Sequence, residues 1–255
     1  MRKQIAAANW KMNLTYQQAE ELFDSILTQP IELSGDQSVI FAVPFPYLIM
    51  AKSEVDDLEG FHIAAQNCSN KKNGAYTGEI STEMLQSIGI KYCIVGHSER
   101  REYYGDTNEV VAQKIGLCLQ AGITPIFCCG EPLSIREQGT QNAYVQEQLE
   151  ALFPLSDKEI SKIIIAYEPV WAIGTGKTAS TEQAQEMHAH IRSILKNKYG
   201  AVVSDQLSIL YGGSVKASNA NELFSCTDVD GGLVGGASLI AKEFVQIINA
   251  LKNKQ

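Results

Sequence analysis

Ile163-Ile164-Ile165-Ala166-Tyr167 is an apolar run with no polar residue inside it, and Glu168-Pro169 follows at once. A strand with one face in water alternates apolar and polar side chains. An uninterrupted run of this length suits a strand buried on both faces, as in a parallel sheet. Working outward, seven more short apolar runs recur along the chain: Ile5–Ala8, Val39–Val43, Ile63–Ala65, Tyr92–Val95, Ile126–Cys129, Leu207–Tyr211 and Leu233–Val234.

Amphipathic helical patterns lie between them. Thr15-x-x-Gln18 is a capping box, followed by Ala19, Leu22, Phe23, Ile26 and Leu27 at helical spacing. Ser180-x-x-Gln183 opens a second, with Ala184, Met187, Ile191, Ile194 and Leu195 on one face and Gly200 as its stop. Val111, Ile115 and Cys118 mark a third, ended by Gly122, and Leu239, Ile240, Phe244, Ile247, Ile248 and Leu251 mark the last. The order is strand, helix, strand, helix throughout. Strand starts recur about every 33 residues, the size of one βα unit. Eight such units in 255 residues fit an α/β protein of the closed (β/α)8 type, with residues 1–255 as a single domain. A doubly wound open sheet has the same repeat, and counting repeats does not separate the two.

Composition narrows the function. The chain is 45% apolar and 20% charged, which excludes whole-chain disorder. It has 21 basic and 29 acidic residues, a net charge of −8, which argues against nucleic acid and anionic membrane surfaces as partners. A small anionic substrate stays compatible with a locally positive site. No apolar run approaches the ~20 residues of a membrane span, and the N-terminus has no secretory h-region. The six cysteines show no CxxC and no zinc-type spacing, and read as reduced core thiols of a cytoplasmic protein.

In an α/β barrel, chemistry sits where strands end and loops begin. After the first run come Asn9 and Lys11, after the fourth Gly96-His97-Ser98-Glu99-Arg100-Arg101, and after the fifth Gly130-Glu131. After the sixth comes Glu168, then the apolar stretch Val170-Trp171-Ala172-Ile173. The last two runs end in Gly212-Gly213-Ser214 and Gly235-Gly236. Pro169 holds its predecessor extended, so the sixth strand ends with the Glu168 carboxylate on the rim. Desolvation beside a closing apolar loop would raise its pKa and make it a better base. A helix N-terminus disfavours imidazolium, so His97 is expected as a neutral hydrogen-bond donor. Lys11 could neutralise developing negative charge. Adjacent glycines let backbone N–H groups approach a ligand, and the loops after strands seven and eight are the usual phosphate cradle of such barrels.

Three decoys fall away. Gly176-Lys177-Thr178 resembles the end of a phosphate-binding loop, but the earlier glycine that motif requires would fall at Trp171. His188 and His190 are two apart on a helix and face different sides, a poor metal site, and they are read as structural, as is His62. No HExxH or carboxylate-rich cluster supports metal catalysis.

Five stretches together resemble the triosephosphate isomerase family: Asn9-Trp10-Lys11-Met12-Asn13, Gly96-His97-Ser98-Glu99-Arg100-Arg101, Ala166 through Gly176, Tyr211-Gly212-Gly213-Ser214-Val215 and Leu233-Val234-Gly235-Gly236-Ala237-Ser238. The resemblance implies interconversion of dihydroxyacetone phosphate and glyceraldehyde 3-phosphate, with no metal and no cofactor. It implies Glu168 as the proton-transferring base and His97 as donor to the carbonyl and enediolate oxygens. Lys11 and Asn9 would bind the anionic intermediate, and Glu99 would be a supporting carboxylate or minor proton carrier. Residues 169–179 would form a lid, with Gly174, Ser214, Gly235 and Gly236 donating to the phosphate. It also implies a homodimer, in which the segment Gln66–Glu79, with Thr77 near its tip, reaches into the partner's site. The alternatives from other classes are a non-catalytic phosphate-binding barrel and a Schiff-base or metal-dependent aldolase or lyase.

Overall fold

All eight apolar runs form strands: β1 Gln4–Asn9, β2 Gln37–Val43, β3 Phe61–Ala65, β4 Tyr92–Val95, β5 Thr124–Cys129, β6 Ile164–Tyr167, β7 Ile209–Tyr211 and β8 Gly231–Val234. The structure is a computed structural model and describes residues 2–173 and 178–252. The strands pair in chain order, each parallel to the next, and β8 returns to β1 with Ala6 opposite Gly232. The sheet is therefore a closed barrel, and the open doubly wound alternative is excluded.

The runs are continuous because both faces of every strand are covered. Alternate side chains such as Ala7, Ile40, Ile126, Ala166 and Leu210 fill the barrel interior. Their neighbours, such as Phe41, Val95, Phe127 and Ile165, belong to the larger core outside it, together with the buried faces of the helices. Even the adjacent thiols follow this rule: Cys128 joins the interior cluster and Cys129 the outer one.

The helix signals carry through. Thr15 and Gln18 form the capping box of the helix Tyr16–Leu27, and Ser180 and Gln183 that of Thr181–Tyr199. The helix Asn108–Gln120 buries Val111, Ile115 and Cys118. Most strand boundaries shift by one or two residues, as at β7, which begins at Ile209 rather than Leu207, and two shifts, one in a strand and one in a helix, have a plain cause. β8 begins at Gly231, before the apolar pair, because that strand must pass close to β1. A Cβ at Gly231 would lie 2.0 Å from the Ile5 carbonyl oxygen, so only glycine fits, and glycine reads as a turn rather than a strand. The last helix starts at Ala241, with Ile240 exposed at its N-cap and Leu239 in the preceding 3-10 turn Gly236–Leu239. The face that reaches the core is Phe244, Val245, Ile247 and Ile248.

At the N-terminal rim, buried charge is tied up by arginine. Asp230, fully buried, accepts from Arg2 Nε (2.8 Å), Arg192 Nη2 (2.9 Å), Gln4 Nε2 (3.2 Å) and the Ile209 N–H (3.1 Å). His188 is buried, with Nδ1 3.2 Å from the Asp228 carbonyl, and burial pushes its pKa down to about 4. His190, on the other side of the same helix, meets the Asn142 carbonyl at the surface. Among the described residues, no helix is long and apolar enough to cross a membrane.

Candidate active site

A cavity of about 610 Å³ opens at the C-terminal ends of the strands, lined among others by Asn9, Lys11, His97, Glu168, Ser214, Gly235 and Gly236. Residues distant in sequence meet there because each follows directly on a strand of a closed barrel. Glu99 stands behind Lys11, its Oε1 2.5 Å from Nζ. Thr77 lies in the stretch Lys71–Glu79, every residue of which is exposed. Gly174, and part of the expected lid over 169–179, lie outside the described residues.

Lys11 has φ 52°, a left-handed backbone that a side chain with a Cβ rarely adopts. Its surroundings over-determine that conformation. The Asn9 Oδ1 accepts the Lys11 N–H at 3.1 Å, and Gln66 Nε2 donates to the Lys11 carbonyl at 2.9 Å. Such strain persists where neighbouring groups hold it, and it clusters at functional sites.

Glu168 is 1% exposed. Its Oε2 accepts the Ser98 N–H at 2.9 Å, and its Oε1 accepts the Ser98 hydroxyl at 3.2 Å and lies 3.0 Å from His97 Nε2. Burial alone would raise its pKa and is the largest single influence. The His97 ring and the two Ser98 donors together outweigh it and hold the carboxyl below its usual range. The rise expected from desolvation is thus reversed in this arrangement, because the carboxylate has donors as well as apolar cover.

His97 is the N-cap of the helix Ser98–Tyr104, and its Nδ1 accepts the Glu99 N–H at 3.2 Å. An accepting Nδ1 places the ring proton on Nε2, which faces Glu168. At this ring, burial is again the largest influence and disfavours the cation. The charge and hydrogen bond of Glu168 outweigh it and raise the pKa. The cap supports the neutral tautomer expected from the sequence, while the adjoining carboxylate works against neutrality as long as the two remain paired.

Three further residues shape the site and were not singled out by sequence reasoning. Ser98, within the quoted 96–101 stretch, anchors the carboxylate. Arg101 braces the ends of β4 and β5, with Nε on the Gly96 carbonyl at 2.7 Å and Nη2 on the Cys128 carbonyl at 3.2 Å. Glu131, fully buried, accepts the Tyr167 hydroxyl (3.0 Å) and Trp171 Nε1 (2.9 Å), with Arg136 Nη1 at 3.6 Å. Burial raises its pKa. Its position after the fifth run was the available signal.

The two glycine pairs also divide in role. A Cβ at Gly212 would come within 2.9 Å of Glu168 Cγ, and its N–H is spent on the Tyr167 carbonyl at 2.7 Å. Gly212 therefore makes room for the Glu168 side chain. A Cβ at Gly236 would meet nothing within 4 Å, and one at Gly235 only Lys11 Cε at 3.7 Å, so this pair leaves cavity space beside the ammonium. Among the described residues, no group of three metal-ligating side chains falls in this cavity.

Comparison with known proteins agrees with this geometry. The family model described as triosephosphate isomerase matches residues 4–251. A triosephosphate isomerase of Bacteroides fragilis is 52% identical over 254 residues, covering 98% of this chain and 99% of that protein. Those of Cytophaga hutchinsonii (97% of this chain, 98% of that protein) and Prosthecochloris aestuarii (98% of each) are both 50% identical. The chain belongs to the triosephosphate isomerase family, and it interconverts dihydroxyacetone phosphate and glyceraldehyde 3-phosphate.

Proposed function

We propose that Glu168 is the base of this isomerisation and His97 its electrophile, within a single barrel domain spanning residues 1–255. The observation that carries the assignment is the pairing of Glu168 Oε1 with His97 Nε2 at 3.0 Å on the cavity wall. A carboxylate and a proton-bearing imidazole nitrogen side by side are the two groups that moving a proton between adjacent carbons requires. To act, the carboxylate leaves the Ser98 donors and faces the substrate carbon. Losing two donors raises its pKa and strengthens it as a base. His97 Nε2–H, released from Glu168, then donates to the oxygen on which enediolate charge develops. Lys11 and Asn9 bind the same charge, and the Lys11 ammonium offsets it most where water is excluded. Glu99 orients that ammonium. Ser214, Gly235, Gly236 and Gly174 bind the phosphate, whose loss from the enediolate is a side reaction that exclusion of water suppresses.

The working unit is a homodimer in the cytoplasm. The exposed stretch 71–79 bearing Thr77, a run of bends ending in a turn, supports a role in contacting a second copy, and the buried free thiols support a reducing compartment. Glu168→Ala tests the base. The variant should fold and lose ~10²–10⁴-fold in turnover, the usual contribution of a positioned acid–base group. Near-normal turnover in a coupled assay with glyceraldehyde 3-phosphate would remove Glu168 from the role.

A further inference from the structure

Three cysteines far apart in sequence converge outside the catalytic cavity. Cys68 follows β3, Cys93 lies on β4, and Cys118 is in the helix Asn108–Gln120. All three are fully buried, and their sulfurs all lie within 4.8 Å of one another, with Cys68 and Cys118 at 3.6 Å. A single buried cysteine is an ordinary small apolar filler. Here three thiols from three separate elements bring their sulfurs together in one buried cluster.

We propose that Cys68, Cys93 and Cys118 form a buried three-sulfur site for copper(I). Soft sulfur ligands select monovalent copper or zinc among the common metals. Structural zinc takes four ligands in a tetrahedron, and among the described residues no further His, Cys, Asp or Glu atom joins the group. Copper(I) accepts three. A monovalent ion also loses less solvation than a divalent one on entering this fully buried site. Binding forms copper–sulfur bonds and breaks S–H bonds. Each sulfur that binds as a thiolate releases its proton to solvent, copper stays monovalent, and no sulfur is oxidised.

Anaerobic titration of the full chain with tetrakis(acetonitrile)copper(I), against bathocuproine disulfonate as competing chelator, tests the site. The expected result is one ion retained per chain, with three sulfurs around it by X-ray absorption. Cys118→Ala should weaken retention by more than roughly tenfold, since even outer-shell changes at metal sites cost that much, and Cys226→Ala should leave it unchanged. Equal retention by Cys118→Ala, a shell of two sulfurs or of nitrogen and oxygen, or zinc held as tightly as copper would each overturn the proposal. Should Cys118→Ala fail to fold, the absorption spectrum of the unmodified chain still decides. Cys128 and Cys129 point to opposite faces of β5 and cannot supply three sulfurs.

Discussion

The two rims of the barrel both bury a carboxylate, but they partner it differently. At the N-terminal rim Asp230 is held by Arg2 and Arg192, which stay charged at any working pH. At the C-terminal rim Glu168 is held by a histidine and a serine, partners that can release it. The first arrangement is fixed and serves stability. The second is conditional, as the role proposed for Glu168 requires. Burial is nearly the same at the two sites, so what separates a structural charge from a chemical one is whether its partner can titrate or exchange.

Paired substitutions would break this contrast if it is wrong. Glu168→Ala, the largest expected effect, should abolish most turnover and leave the thermal midpoint nearly intact. Asp230→Ala should do the reverse. Arg2 and Arg192 keep Asp228, but the buried Ile209 N–H and the Gln4 amide lose their acceptor, which at about 1–3 kcal/mol for each stranded group costs about 3–5 kcal/mol of stability in denaturant titration and leaves the activity of each folded molecule in the normal range. A smaller effect belongs to His188. The unfolded chain takes up a proton below the ordinary value of 6.5, whereas the folded chain does so only near 4. Folding stability therefore falls as pH drops through that window, by on the order of 3 kcal/mol. His188→Gln should flatten the loss when unfolding is compared at pH 7 and pH 4.5. The smallest effect is Ser98→Ala. It removes the hydroxyl donor but keeps the N–H, costs about 1 kcal/mol, and moves the acid limb of the kcat/KM profile to higher pH as Glu168 becomes easier to protonate.

The barrel was legible because its strands are covered on both faces, so apolar runs such as Ile163–Tyr167 mark them without periodicity. It was less legible where geometry overrode composition. Gly231 is a strand residue only because Ile5 passes so close, and that contact is long-range. The rim residues were readable as candidates from their place after each run. Their electrostatics were not. Glu168 next to an apolar stretch suggests a raised pKa, and only the folded chain brings Ser98 and His97 onto its two oxygens. Glu131 stood in the right place, but its partners Tyr167 and Trp171 come from another strand and loop. Gly212 and Gly235 look alike in sequence and differ in which neighbour's atoms they face.

Position 11 carries a conflict between backbone and chemistry. Its left-handed φ suits glycine, asparagine or aspartate, while the role proposed for Lys11 on the cavity wall requires an ammonium there. A randomised library at this codon should therefore give two different winners. Selection for heat resistance should enrich glycine and asparagine, and selection for growth on the isomerase reaction should return lysine. A single consensus residue from both screens would mean that the local strain costs the fold nothing.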